Sequence, residues 1–472
     1  MALQIIQKPL FGDASNKGLP VGQQLIFSVL DATTVATYFN VKYRAQVYVY
    51  NQTPTSADSI GIFETTPNNA GAGIWDFRPV LETFVSADNL AVSSPTSASL
   101  TRYKTAEVPN TPMHLIDKYS LNANSAKRLT ISFSVYGSIT ATDPIIQVGS
   151  NVGSSQFTMF NGVLQYDDVL TLDNKNYGYD LQEAKLYTAK ATGKFLSNAP
   201  TTQYANVDDY GAFAFLNFMP IANDSYAIEE IEFKLYQKDG TQYPGVGAGE
   251  IITSPINTLT KSAYELMYAG VFPGNLRGWS STFRAFILAH PDGYYTIKST
   301  NFGGTISSST YTINLNCPTN LGYTPIRLTW LNQWGVWDYY TFTQKSTKSI
   351  STKRAPYNQI SGTWNEETLG ISGYQGGRKN FRVNTSEKIK MNTAYVTEEE
   401  GLWFEELINS PEVYILNGYE TETPPYDTIT NKYVEPVTLT TSSYTRKTRA
   451  NDKLMQYTIE VEKSKNRRTQ SV

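Results

Sequence analysis

Apolar and polar residues alternate along several short stretches of the chain, which is the pattern of a strand with one buried face. The alternation runs through residues 41–50, 129–135 and 231–235. It returns at residues 311–315 and 326–330. The pattern predicts a mainly β protein built from multi-domain β-sandwiches.

Two turn signals predict hairpins. Lys238-Asp239-Gly240 follows the third alternating stretch, and an Asp-Gly pair is typical of a tight hairpin turn. Residues 283–289 form a mostly apolar run that stops at the turn residues 290–293 and is followed by Tyr and Ile at 294–297. We therefore expect a second hairpin, with residues 283–289 as its first strand.

Helical signals are few. Thr397 and the glutamate three residues later have the spacing of a capping box, in which each side chain satisfies the other residue's free backbone N–H. Trp403 and Phe404 each have an apolar partner four residues on, which places apolar pairs on one helix face. We expect a helix at residues 397–410 packed against a sheet, and a short helix at 82–89.

A chain of 472 residues is longer than one hydrophobic core usually supports, so we expect several domains. Segments rich in small polar residues predict where these domains meet. Residues 86–112 are a long excursion of this kind, and residues 140–155 and 301–310 are candidate linkers. We expect three units: an N-terminal β-sandwich over 1–150 with the excursion, a middle β-rich domain over 151–315, and a C-terminal β-sandwich over 316–472 with the helix and a basic tail.

The composition adds an aromatic bias to this picture. Tyr, Phe and Trp make up 13% of the chain, and these residues favour strands and protein–protein interfaces. The net charge of −3 argues against a dedicated nucleic-acid binder. No stretch approaches the roughly 18 apolar residues of a membrane-spanning helix. Residues 1–10 lack the features of a signal peptide, so we expect no membrane partner and assembly without export.

The sequence offers little that would support catalysis or metal binding. The two histidines, His114 and His290, stand beside turn residues, and the single cysteine, Cys317, cannot form an intramolecular disulfide or a multi-cysteine zinc site. Nucleophile-elbow, zinc-protease and phosphate-loop motifs are absent from the sequence. The glycine-rich stretch 373–379 is interpreted as a turn. We expect no enzymatic activity, no metal and no cofactor.

Carboxylates leave one enzymatic alternative, because a glycosidase needs only two of them. Adjacent acids occur at 167–168 and 208–209, and three glutamates at 398–400. Adjacent acids on a strand face opposite ways, and the glutamate run suits a helix N-terminus. A polysaccharide-degrading enzyme is therefore the weakest hypothesis.

Three aromatic segments are candidates for a core or for an interface. The densest, residues 330–342, has turn residues at 332–335 between two strand-like runs and predicts an aromatic hairpin. Its aromatics could pack in a core, stack sugars, or form a subunit contact. The residues singled out in the three segments are Trp75, Phe77, Trp330, Trp334, Trp337, Tyr339, Tyr340, Trp403 and Phe404.

A basic run closes the chain. Lys463, Lys465, Arg467 and Arg468 belong to it. A solvated, flexible terminus is one interpretation, and contact with DNA or with an acidic neighbour is the other.

Several segments resemble tail structural proteins of crAss-like and related tailed phages that infect Bacteroidetes. Residues 328–342, LTWLNQWGVWDYYTF, look like the "W-x-N-x-x-G-x-W/F-D-x-Y/F-x-F" stretch of that group. The helix segment 397–411 and the closing stretch 436–461 are similar in style, so the resemblance covers about the last 145 residues. Residues 75–79 and 268–276 resemble the group more loosely.

The resemblance implies a virion structural protein that is a subunit of a symmetric tail ring or tail hub around the DNA channel. The implied partners are copies of itself in a six- or twelve-fold ring, other phage tail or neck proteins, and DNA by non-specific proximity in the lumen. The implied localisation is the virion tail, after assembly in the host bacterial cytoplasm. A C-terminal unit with one flanking helix is similar to a tail-tube-type fold.

A different function remains open as the alternative. A glycan-binding adhesin or tail-fibre module would use exposed aromatic rings to hold host polysaccharide, and Trp334 and Trp337 would be its first candidates.

Overall fold

The structure is a computed structural model of the 472-residue chain. It describes residues 2–9, 17–50, 57–87, 113, 119–122, 125–154, 156–165, 179–180, 185–186, 194–217, 228–244, 250–253, 265–301, 308–315, 322–364, 366–416, 434–441, 443, 445, 455–465 and 467–468. The fold is mainly β, with several sheets and few helices, as the alternating pattern predicts.

The strands in chain order are β1 (Gln4–Gln7), β2 (Lys17–Pro20), β3 (Ile26–Leu30), β4 (Phe39–Tyr50), β5 (Ala57–Thr65), β6 (Ala72–Asp76), β7 (Tyr119–Asn122), β8 (Ala126–Ser138), β9 (Ile146–Gly153), β10 (Phe157–Phe160), β11 (Tyr179–Asp180), β12 (Lys185–Leu186), β13 (Thr202–Ala205), β14 (Ala212–Asn217), β15 (Ile228–Tyr236), β16 (Gln242–Tyr243), β17 (Glu250–Thr253), β18 (Glu265–Gly270), β19 (Tyr294–Asn301), β20 (Tyr311–Leu315), β21 (Ile326–Leu331), β22 (Trp337–Phe342), β23 (Ser346–Gln359), β24 (Gly377–Asn392), β25 (Val413–Leu416), β26 (Val434–Leu439), β27 (Thr458–Lys463) and β28 (Arg467–Arg468). The α-helices are α1 (Ala32–Thr37), α2 (Arg78–Leu81), α3 (Pro273–Trp279), α4 (Ser281–Ala289) and α5 (Glu398–Asn409).

Two sheets form an N-terminal sandwich. One has the order β1-β3-β6, and the other has the order β12-β11-β2-β10-β8-β4-β5 with β9 paired to β8. Phe27 of β3 lies between them, with its ring centroid 5.7 Å from that of Phe133 and 6.1 Å from that of Phe157. The strands predicted at 41–50 and 129–135 are confirmed as β4 and β8, and their alternation puts the apolar residues in this core.

Two further sheets form a second sandwich. Their orders are β13-β20-β19-β15-β16, with β17 paired to β15, and β14-β18-β7. Phe213 of β14 packs on Tyr311 of β20 across the sheets, with ring centroids 5.0 Å apart. The hairpin predicted at Lys238-Asp239-Gly240 is confirmed, because β15 pairs with β16 and Gly240 takes the positive φ that the turn requires.

The prediction of a strand at residues 283–289 is wrong, because these residues lie in helix α4. Ser280 caps the helix by accepting a hydrogen bond from the N–H of Phe283 at 3.1 Å. Phe283 and Phe286 are buried on one face, while Leu288 is 85% exposed on the other. Turn residues 290–293 therefore join a helix to β19, and the predicted hairpin does not form.

Two other boundaries differ from the sequence-based expectations. Residues 146–153, inside the linker predicted at 140–155, form β9, which pairs with β8 because the chain turns back at residues 139–145. The short helix predicted at 82–89 begins earlier, as α2, and continues as a 3₁₀ turn over Glu82–Phe84. The predicted excursion from residue 88 to 112 and most of the predicted linker at 301–310 lie outside the described residues.

The chain divides into two compact units. The first contains the described residues of 1–318 and 329–339, and the second those of 319–328, 340–417 and 433–472. β10, β11 and β12 belong to a sheet of the N-terminal sandwich although they follow residue 150. β7 belongs to the second sandwich although it precedes residue 150. The three predicted domains would subdivide these two units, and that finer division stays a prediction.

One sheet and one helix make up most of the second unit, and the residues of β21 and β22 of this sheet are divided between the two units. The sheet has the order β22-β21-β25-β26-β27-β24-β23, with β28 paired to β24. Helix α5 confirms the helix predicted at 397–410, and both hydrogen bonds of its capping box are present. Phe404 of this helix packs edge-on against Tyr340 at 4.8 Å and lies 6.3 Å from Tyr457, which anchors the helix on the sheet.

Candidate assembly surface

The aromatic hairpin predicted at 330–342 forms, and its aromatic side chains are in a core. β21 and β22 are joined by a turn in which Asn332 N–H donates to the Val336 carbonyl at 2.8 Å. Trp330, Trp334, Trp337 and Tyr339 are all buried, Trp334 being 6% exposed. Large rings with so little accessible surface cannot stack sugars or a partner protein, so core packing is the correct one of the three interpretations.

The tip of this hairpin is held by other segments of the first unit. Asn332 donates its side-chain amide to the Leu196 carbonyl at 2.9 Å, and Trp334 donates its indole N–H to the Asn198 side chain at 3.1 Å. Ser197 donates its hydroxyl to the carboxylate of Asp338 at 2.7 Å. These buried polar groups find their partners more than 130 residues away in the chain, which fixes the position of the tip.

The other two aromatic segments are also core elements. Trp75 and Phe77 stack at 6.1 Å and lie in the N-terminal sandwich. Trp403 and Phe404 lie on the buried face of helix α5, and Tyr340 is largely enclosed beside them. Burial raises the pKa of the Tyr340 hydroxyl well above its usual value. All nine aromatics therefore contribute to folding stability in the described structure.

The acidic pairs do not assemble a two-carboxylate centre in the described part of the chain. Asp208 forms an ion pair with Arg277 at 2.6 Å. Asp209 is buried and accepts a hydrogen bond from the Asn206 N–H at 2.8 Å, which makes it a turn residue. Residues 398–400 are the first turn of α5, as expected for charge near a helix N-terminus. Asp167 and Asp168 lie outside the described residues.

The remaining titratable candidates are turn residues or are not described. His290 ends helix α4, and its ring lies 5.2 Å from that of Tyr243. His114 and Cys317 lie outside the described residues. No group of three or more His, Cys, Asp or Glu side chains that could hold a metal ion occurs among the residues that the structure describes. Within the same residues, no helix is both long and apolar enough to span a membrane.

The basic run at the C-terminus begins inside the sheet. Lys463 ends β27 and forms ion pairs with Glu435 at 3.2 Å and Glu387 at 3.6 Å, so it is not part of a flexible tail. Arg467 and Arg468 form β28, whose backbone pairs with β24. Lys465 is exposed in the bend between the two strands. The terminus is therefore ordered further than the flexible interpretation predicts, because its strands add to an existing sheet.

The most exposed structured element is a long two-stranded ribbon that the sequence analysis did not single out. β23 and β24 pair antiparallel from Ser346↔Met391 to Gln359↔Gly377. Among the described strands, β24 has third-strand support at residues 388–392, from β27, and at 384–385, from β28. Residues 354–359 and their partners thus extend about 20 Å beyond that support at roughly 3.3 Å per residue. We call residues 346–392 the arm.

The end of the arm carries exposed apolar side chains. We call residues 360–376, which connect the two strands, the tip loop. Trp364 is 69% exposed and Tyr374 is 75% exposed. Ile360, Leu369 and Ile371 are exposed in the same loop. With about 150–250 Å² for a large aromatic side chain, this loop presents several hundred Å² of apolar surface to water. An apolar surface of that size matches the largest patch of a typical monomeric protein, and such patches are often functional.

The tip loop has internal order. Gly370 N–H donates to the Thr363 hydroxyl at 2.9 Å, and the Trp364 indole donates to the Ser361 carbonyl at 2.8 Å. Gly376 and Gly377 take positive φ values of 85° and 80°, which confirms the turn predicted for the glycine-rich stretch 373–379. The apolar side chains are therefore presented by a folded loop.

Charge along the arm is strongly asymmetric. The arm holds eight of the chain's 39 Lys and Arg but only three of its 42 Asp and Glu. The remainder of the chain therefore has 31 basic and 39 acidic residues. A basic arm thus projects from an otherwise acidic polypeptide.

Comparisons with known proteins give no family for the chain. No family model matches it. No curated protein matches it. Solved structures of alpha-2-macroglobulin are similar only at a very low level: the native Escherichia coli protein has a TM-score of 0.19 and 9% identity over 82% of this chain, and the Salmonella protein reacted with methylamine has 0.19 and 8% over 97%. The chain spans about a fifth of the length of those proteins, 21% and 23% respectively. TM-scores this low carry no argument about fold or function.

Proposed function

We propose that the protein is a virion structural protein, a subunit of a symmetric tail ring or tail hub of a bacteriophage, connecting neighbouring tail components around the DNA channel. The observation that supports the proposal best is the arm. A two-stranded ribbon is marginally stable in water by itself, and this one carries an apolar loop at its end. Such an element gains stability when another protein covers it, as in an assembled particle.

The sequence resemblance supports the same function from a different direction. The segments that resemble phage tail proteins include the aromatic hairpin, helix α5 and the closing strands. The hairpin and the closing strands belong to the sheet from which the arm extends, and helix α5 packs on that sheet through Phe404. Copies of the chain, other tail or neck proteins and lumenal DNA are the proposed partners, and the virion tail is the proposed location.

Self-association of the purified full-length chain tests the proposal. Its mass is measured by light scattering and native mass spectrometry across a concentration series, and negative-stain micrographs show its shape. We expect closed rings of six or twelve copies. A chain that remains monomeric at every concentration, or that hydrolyses an oligosaccharide, would contradict the proposal.

The glycan-binding alternative loses its first candidates. Trp334 and Trp337 are buried, so their rings are not available to a sugar. A glycan array probed with the same preparation gives a direct check, and we expect no specific binding.

A further inference from the structure

We propose that the arm of one copy docks on the outer surface of helix α5 of a second copy, with its basic face and apolar tip covering the exposed Tyr395 and Leu402 and the carboxylates beside them. The inference rests on the proposed ring function and names the contact that builds the ring. The partner that covers this surface is a second copy of this chain.

Both faces of the outer part of the arm are basic, and one carries three basic residues where the other carries Arg354 and Arg378. Cross-strand partners share a face, so the register assigns Lys353, Lys379 and Arg382 to one face of the outer part of the ribbon. Neither face carries an acidic residue within 353–359 and 377–384. Lys388 and Lys390 lie on the same face as Lys353 nearer the base, where Lys388 forms ion pairs with Glu460 at 3.5 Å and Glu462 at 3.9 Å. The face of Lys353 is therefore a basic strip that leads to the apolar tip loop.

The outer surface of α5 is complementary to this strip. Glu398 and Glu399 are exposed in its first turn, and Tyr395 just before the helix is 68% exposed. Leu402, one turn later, is also exposed, although α5 buries its other face. No Lys or Arg occurs between residues 391 and 416. The arm and α5 thus pair basic with acidic and apolar with apolar groups.

A second copy fits the arm better than nucleic acid does. A duplex would neutralise the lysines and arginines, but its phosphates would leave Trp364, Ile371 and Tyr374 uncovered. The acidic excess outside the arm favours electrostatic attraction between the arm and another copy. A second copy provides both acidic groups for the basic face and apolar groups for the tip loop.

The contact uses the face of the ribbon and not its edge. β23 ends the sheet, and no other described strand pairs with its outer side. Pro356 has no N–H to donate, and Lys353 and Arg354 stand next to it on this edge. Prolines and charges of this kind prevent strand addition at an edge.

Arm and α5 are different surfaces, so the contact is head-to-tail. Each copy gives its arm to one neighbour and its α5 surface to the other, and such contacts close into a ring when the rotation between copies allows it. The arm would then be covered in every copy.

A charge exchange in the full-length chain tests the inference. In the arm variant, Lys353→Glu and Arg382→Glu reverse the basic face. In the helix variant, Glu398→Lys and Glu399→Lys reverse the recipient. We expect each variant alone to associate at least tenfold more weakly than the wild type, and an equimolar mixture to recover assembly into alternating rings. Circular dichroism and thermal unfolding confirm that the separate variants are folded.

A matched control keeps the test specific to the face. Arg354→Glu and Arg378→Glu make the same charge change on the opposite face of the ribbon, and we expect wild-type association. Association of the wild type should also weaken as salt rises from about 50 to 500 mM, because screening shortens to a few Å.

The outcomes separate the two proposals. Rings that form equally well from the wild type and from both reversed variants overturn the arm contact and leave the ring function standing. A wild type that never associates counts against both. Loss of duplex-DNA binding in the arm variant, with assembly unchanged, overturns the inference in favour of a nucleic-acid partner.

Discussion

Gly335→Ala provides a quantitative test of how tightly the tip of the aromatic hairpin is held. Gly335 has φ +73°, a conformation that costs a residue with a side chain about 1–2 kcal/mol. A Cβ at this position would lie 1.8 Å from the carbonyl oxygen of Asn161, which is backbone and cannot rotate away. Relief of this clash requires the turn and its neighbours to shift, at a further cost of about 1–3 kcal/mol. We expect a total loss in the free energy of unfolding of about 2–5 kcal/mol.

Gly149→Ala is the matched control. Gly149 has nearly the same φ, +72°, and lies in the same unit, but an alanine Cβ at this position would have no atom within 4 Å. The control therefore incurs the backbone strain alone, about 1–2 kcal/mol. Urea unfolding followed by tryptophan fluorescence measures both variants. Equal midpoints for the two would refute the conclusion that the hairpin tip is closely packed against residue 161.

Three further predictions concern stability. Trp337→Ala should destabilise the chain by about 3–5 kcal/mol in urea unfolding, because the ring is buried; a folded, fully stable variant would show that the ring is dispensable. Thr397→Ala should cost about 1 kcal/mol by removing the cap of α5, whereas Thr397→Ser should be near neutral, as measured by thermal unfolding. Burial raises the pKa of Glu400 above its unfolded value, so its contribution to stability is present below the unfolded pKa and is lost as pH rises through the folded pKa; Glu400→Gln should flatten that part of the stability–pH curve, and an unchanged curve would contradict the assignment.

The sequence predicted strands well where one face is buried. β4 and β8 alternate because one side of each faces a core, and this periodicity is visible without any tertiary information. Helix α5 was also predictable from local sequence, because the two residues of its capping box, Thr397 and Glu400, are three positions apart. In both cases the signal lies within a short window.

Helix α4 shows how a prediction from a short stretch of sequence can give the wrong secondary structure. Its residues are mostly apolar, and a short apolar run does not distinguish a helix from a buried strand. Two features of the sequence would have favoured a helix: the capping residue Ser280, and the three-residue spacing of Phe283 and Phe286, which are both buried.

The arm was missed for the opposite reason. β23 is exposed on both faces over most of its length, so its residues have no alternation of apolar and polar types. The excess of lysine and arginine over 346–392 was visible in the sequence, but only the structure shows these residues on one ribbon. Likewise, the burial of Trp334 depends on Asn198 and on the segment near residue 161, whose proximity no local pattern encodes.

The placement of the hairpin has a consequence for biosynthesis. Residues 329–339 belong to a unit whose other described residues all precede position 318, so that unit lacks the hairpin until these residues have been translated. Until then Leu196, Ser197 and Asn198 lack their partners. Translation that stalls or terminates near residue 318 would therefore release an unfinished polypeptide that quality-control proteases can recognise.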